Sequence, residues 1–155
     1  YAEVLLNYAE AMYELGTTGK ALDDALNISL NLVRLRVNPD MPKLTTSFAS
    51  ENSLNMREEI RRERTIELYN EGFRVDDLKR WNTAIVEMPK PILGVKWTGT
   101  DFATSWAGAS NMAKDSDGCL ILENSRRWGS KNDLYPLPVD QCQLNPNLGQ
   151  NPGWQ

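Results

Sequence analysis

The sequence contains no histidine and only two cysteines in 155 residues. Without imidazole, Ser-His-Asp and Cys-His catalysis and histidine-ligated metal centres are excluded from this segment. Cys119 and Cys142 form no CxxC pair and make no disulfide framework, so they read as small packing residues. No apolar run approaches the roughly 18–20 residues of a membrane helix, and no secretory leader is visible. Positive charge is in slight deficit: Lys+Arg 17 against Asp+Glu 21 gives −4, without the clustered basic surface that grips nucleic acid. What is present is a globular composition, 41% hydrophobic and 25% charged, with five tryptophans. The opening residues Tyr1–Leu6 already run in helical periodicity with no initiator Met or cap, so further sequence is expected upstream.

The first region reads as a helical hairpin. Leu5, Ala9 and Met12 recur on one helical face, and Gly16 closes that helix before the Thr17-Thr18-Gly19 turn. A second helix is expected from about Lys20 to Leu35, with Leu22, Leu26 and Val33 on one side, ended by Asn38-Pro39-Asp40. Leu5, Tyr8, Ala9 and Met12 occupy the W-x2-L-G-x2-Y slots of a tetratricopeptide repeat (TPR), and Ala21 and Ala25 its A-x3-F slots, matching in size and register but not in identity.

Residues 39–53 read as a polar connecting loop. A third helix is expected from Ser53–Asn55 to Asn70 or Glu71, with Asn55 and Glu58 resembling a capping box. Gly72 interrupts it. A fourth helix carries Val75, Leu78, Trp81 and Ile85 and stops at Met88-Pro89-Lys90-Pro91. Val95–Trp97 and Cys119–Leu122 are candidate short strands. The tail from Leu134 is expected to be ordered, extended chain with tight turns, burying Leu134, Tyr135, Leu137, Leu144, Leu148 and Trp154.

The charged segment Arg57–Arg80 holds seven basic and seven acidic residues. Glu63, Glu67 and Glu71 stand at i, i+4, i+8, a like-charge stripe that destabilises an isolated helix. Arg64, Arg74 and Arg80 are the expected partners, with Arg64–Glu67 and Asp76–Arg80 at helical contact spacing. A semi-buried ion network of Glu63, Arg64, Glu67, Glu71, Arg74, Asp77 and Arg80 follows, because guanidinium forks bind carboxylates bidentately. The rival reading takes Asp76, Asp77, Glu67 and Glu71 as a glycosidase carboxylate pair. Pairing with nearby cations keeps acids ionised, the wrong direction for a general acid, so no catalytic residue is assigned.

Glu63-Arg64-Thr65-Ile66-Glu67-Leu68, Glu71-Gly72-Phe73-Arg74 and Asp77-Leu78-Lys79-Arg80-Trp81 together resemble the ER-x-x-EL-x-x-EG-x-R-x-x-DL-x-RW signature of the SusD-like (RagB) family. Tyr1–Ala11 resembles its R-Y-A-E-x-L-L-x-Y-A-E-A helix, and Asn31–Arg36 its N-x-V-R-x-R. Leu134–Pro138 and Asn145–Trp154 resemble its Y-P-I-P and N-P-x-L-x-Q-N-P-G-[YW] ending. Val37-Asn38 departs from the usual Ala-Gly, Leu137 replaces Ile, and residues 90–131 match no motif of the family.

The resemblance implies a mainly α fold: TPR-like helical hairpins with irregular loops and a few short strands. It places residues 1–155 in the C-terminal part of a SusD-like domain, helical over 1–88, loop and short strand over 89–133, and extended over 134–155. It implies a non-enzymatic surface lipoprotein of Bacteroidetes, anchored in the outer membrane through an N-terminal cysteine outside this chain. Such proteins act in polysaccharide utilization as the ligand-binding lid of a SusC-type TonB-dependent transporter and capture oligosaccharides. No cofactor and no metal are expected. Sugar recognition needs flat aromatic faces and a few placed polar groups; Trp97, Asp101, Trp106, Asn111 and Trp128 supply both types, although Trp97, Trp106 and Trp128 read first as core or edge packing, and Trp81 and Trp154 read as core. An alternative is a TPR-like protein-interaction scaffold that docks on the transporter, with ligand selection elsewhere.

Overall fold

The computed structural model describes residues 1–154. The chain divides into two compact units, Tyr1–Arg74 and Val75–Gln155. The fold is mainly α with one small two-stranded sheet.

In the first unit α1 spans Ala2–Glu14. It ends as expected at Gly16, whose φ of +82° is left-handed. The Gly16 N–H returns to Tyr13 O and the Thr17 N–H to Met12 O, a Schellman closure that satisfies the last carbonyls. The expected second helix is instead two, α2 over Gly19–Asn27 and α3 over Leu30–Val37. Ser29 breaks it: this fully buried residue donates its hydroxyl to Ala25 O at 2.6 Å, competing with the helical ladder. Asn38 is extended ahead of Pro39.

The loop expected over residues 39–53 contains a helix, α4 over Thr46–Glu51, capped by the Thr45 hydroxyl accepting from the Phe48 N–H. Helix α5 spans Met56–Glu67 with Asn55 as its N-cap, accepting from Arg57 N and Glu58 N. It stops earlier than expected, and left-handed Asn70 and Gly72 follow. Helix α1 packs on α2, α3 and α5 around Leu6, Ala9, Leu22, Leu26, Leu30, Val33, Leu44, Ile60 and Leu68.

Helix α6, Arg74–Arg80, runs into the second unit. The single fourth helix of the sequence reading is broken at Asn82, φ +55°, where the Thr83 N–H bonds Leu78 O and the Asn82 N–H bonds Lys79 O. Helix α7, Ala84–Glu87, is a separate turn. Strands β1, Ile92–Lys96, and β2, Cys119–Glu123, pair antiparallel with Leu93 opposite Ile121 and Lys96 opposite Cys119. Between them lie α8, Phe102–Ser105, and a 3₁₀ turn over Ala107–Ala109. A second, smaller core gathers Trp97, Ala109 and Leu120, with Ala103 against it.

The tail carries α9, Val139–Leu144. Its expected apolar anchors are not buried: Leu134, Tyr135, Leu144 and Leu148 are exposed, and Leu137 and Trp154 are half-buried. Polar side chains hold it instead. Gln150 accepts from the Leu137 N–H and donates to the Leu137 carbonyl, at 2.7 and 2.8 Å. The Asn151 amide donates to Tyr135 O, and the Trp154 indole N–H lies within reach of both Lys131 O and Leu134 O.

Candidate functional site

The connection from β1 to β2 builds a loop over residues 98–118. Its neck closes where the Trp97 and Thr98 N–H groups both donate to Gly118 O, at 2.8 and 3.1 Å. Gly118 is required there: its φ is +81°, and a Cβ would lie 2.5 Å from the Thr98 Cβ. The Asp115 carboxylate accepts from Asp117 N and Cys119 N, tightening the return turn. The Lys114 ammonium donates to Ser110 O and Met112 O and lies 5.7 Å from the Trp97 ring centroid.

Trp97 is only 5% exposed, so it offers no open face to a sugar. Of the two readings of Trp97, burial favours packing over ligand contact: Ala103, Ala109 and Leu120 cluster with the ring, which supports the loop from beneath. Asp101, Trp106 and Asn111 all lie on that loop and are exposed. The structure adds Phe102, which the sequence reading missed. Its signal was its position four residues before Trp106, and the Trp106 N–H donates to Phe102 O.

Trp128 belongs to another cluster of the second unit. Its indole N–H donates to Asp133 at 2.9 Å. The Lys79 ammonium stands 5.7 Å from the Trp128 ring centroid and 3.8 Å from that of Tyr135, a cation held between two aromatic rings. Lys131 stands over Trp154 at 4.9 Å. Trp81 is half-buried, with the Arg80 guanidinium 4.9 Å from its ring.

The charged residues of the expected network are spread over both units. Glu63 bonds Arg34 at 2.7 Å, and Glu67 bonds Arg36 at 2.7 Å. These two arginines come from α3, not from the charged segment itself. Buried Arg64 donates to Asn7 and lies 5.5 Å from the Phe73 ring. Arg74 donates to the Thr65 hydroxyl. Arg80 pairs with buried Asp77 at 2.9 Å. Glu71 is exposed on the rim of a groove of about 420 Å³ lined by Leu5, Leu32 and Arg36 among others. At Glu63 burial pushes the carboxyl above its ordinary range, and the Arg34 guanidinium opposes this only in part.

Among the described residues no group of three His, Cys, Asp or Glu is placed to hold a metal ion, and no helix is long and apolar enough to cross a membrane.

The first unit is built of paired helices, and the second holds a small two-stranded sheet with an aromatic-bearing loop. The model of the SusD family matches residues 1–154, and the chain belongs to that family. Among solved structures it is similar to a SusD-like carbohydrate-binding protein from Bacteroides fragilis, at 30% identity and TM-score 0.70, covering 96% of this chain and 28% of that one. A second SusD-like protein from Bacteroides fragilis is 28% identical, with TM-score 0.66, covering 99% of this chain and 25% of that one. The chain thus spans about a quarter of the length of these relatives. No curated protein matches it in sequence.

Proposed function

We propose that the chain is part of a non-catalytic glycan-capture lipoprotein at the outer face of the outer membrane, serving as the ligand-binding lid of a SusC-type TonB-dependent transporter. The observation that carries this reading is family membership along residues 1–154, joined to the 30% identity with a SusD-like carbohydrate-binding protein. Exposed Trp106, Asp101 and Asn111, and half-buried Trp128, supply the aromatic faces and hydroxyl-binding groups that sugars require. The acids that a glycosidase would use favour a structural role: Glu67 is bonded to Arg36, and Asp77 is buried against Arg80.

The test is native gel electrophoresis of the protein through gels cast with a broad panel of glycans. Retardation by at least one glycan without its cleavage is the expected result; free migration through all of them refutes the reading.

A second reading, a protein-interaction scaffold toward the transporter, is favoured by α1, whose Tyr1, Val4, Tyr8 and Leu15 form an exposed stripe at helical spacing. It requires co-purification with a large β-barrel partner that is lost when exposed helix charges are reversed.

A further inference from the structure

The loop over residues 98–118 inverts the usual hydrophobic order. Its small residues, Ala103 and Ala109, face inward on Trp97, while Phe102 is 48% and Trp106 59% exposed. Burying an aromatic ring is worth far more than burying an alanine methyl, so a loop shaped by stability alone would turn the rings in. The loop is also held in place: the doubled bond to Gly118 O, the Lys114 bonds to Ser110 and Met112 carbonyls, and the buried indole beneath all fix its outer face.

We propose that Phe102 and Trp106 form a stacking platform for a neutral glycan, with Asp101 and Asn111 as hydroxyl-binding groups at its edge. This rests on the glycan-capture reading and names its site and substrate class. Phe102 opens α8 and Trp106 is the residue just past its end, joined to it by the Trp106 N–H bond to Phe102 O, so one helical turn carries both exposed rings, flat apolar surfaces of the kind that pyranose C–H faces stack on. The Asp101 and Asn111 side chains are exposed and make no hydrogen bond within the described residues, so both are open to sugar hydroxyls.

Charge decides the class. Residues 98–118 hold three acids, Asp101, Asp115 and Asp117, against one base, Lys114. The Lys114 ammonium is taken up by backbone carbonyls. Within residues 98–118 an anionic glycan therefore meets net repulsion and no cation free of carbonyl bonds, and exposed Lys96 in the strand before the loop is the one cation set against three acids, whereas a neutral glycan loses nothing.

The test titrates the full 155-residue chain with neutral hexasaccharides (maltohexaose, cellohexaose, xylohexaose and mannohexaose) and with hexagalacturonate, by calorimetry and tryptophan fluorescence. At least one neutral hexasaccharide should bind more tightly than hexagalacturonate. Trp106→Ala and Phe102→Ala should each weaken it by roughly tenfold, with melting curves unchanged because both rings are exposed. Asp101→Asn should narrow the gap between the neutral and the acidic ligand. Neutral binding that survives both ring substitutions, or that is lost only with Trp128→Ala, overturns the platform and leaves glycan capture standing. Preference for hexagalacturonate over every neutral ligand overturns the substrate class alone. Absence of binding to any hexasaccharide overturns the platform and counts against glycan capture as well.

Discussion

At Glu63 two effects oppose each other: burial raises the carboxyl pKa, and the Arg34 guanidinium 2.7 Å away lowers it, with burial the larger. Arg34 is itself buried and also donates to Pro42 O, so it ties α5 and the segment after α3 to one guanidinium. Removing it by Arg34→Met strands a half-buried carboxylate, and the expected loss at neutral pH is about 3 kcal/mol. A carboxyl whose folded pKa lies above its unfolded value binds more protons in the native state. Its contribution to stability therefore grows as pH falls through the raised value and is lost as pH rises. The Arg34→Met deficit should accordingly shrink between neutral pH and the acidic range. Denaturant titrations at several pH values read this directly, and a deficit independent of pH would show that Glu63 is not the stranded group. The acid stripe Glu63–Glu67–Glu71 was legible from spacing, but the arginines bonded to its first two members were not: they lie 29 and 31 positions earlier in the chain, beyond any helical neighbour rule.

Two loops are closed by the same device. Asn31 accepts from the Leu44 N–H and donates to Leu44 O, and Gln150 does the same with Leu137, each across 13 positions. A planar amide side chain thus replaces a neighbouring strand, satisfying a donor and an acceptor together. Asn31 is buried and Leu44 fully so, which makes the orphaned groups costly. Asn31→Ala is expected to lose about 2 kcal/mol and Gln150→Ala, at a more open site, about 1 kcal/mol. Loss of amide-exchange protection at Leu44 and Leu137, respectively, would locate each effect; unchanged protection at either position would mean that the loop is held by something else. The helix breaks at Ser29 and Asn82 belong to this scale too. Periodicity runs straight through both, because Leu26 and Leu30, or Leu78 and Ile85, keep apolar spacing whether or not the backbone is continuous. A buried hydroxyl bond at the first and a left-handed Asn at the second end the helices.

Each unit has its own core, a packed cluster built around Leu6, Leu26, Leu30, Leu44 and Ile60 in the first and the Trp97, Ala109, Leu120 group in the second. A core that small depends on its single large ring. Trp97→Ala is expected to cost about 3–5 kcal/mol and to remove hydrogen-exchange protection in β1, β2 and the loop between them while protection in α1 and α5 persists. Uniform loss throughout the chain would show that the two cores melt as one. The mainly α class, the caps at Gly16 and Asn55 and the position of β2 were legible in local patterns, because these depend on residues within a few positions of one another, and the family was legible in motifs spaced along the chain; β1 lies three residues earlier than the expected Val95–Trp97. Which tryptophan is inside and which outside, which arginine meets which glutamate, and that amides and not leucines hold the tail became visible only once the chain was folded. Those outcomes turn on burial, and burial is set by side chains brought together from distant parts of the chain.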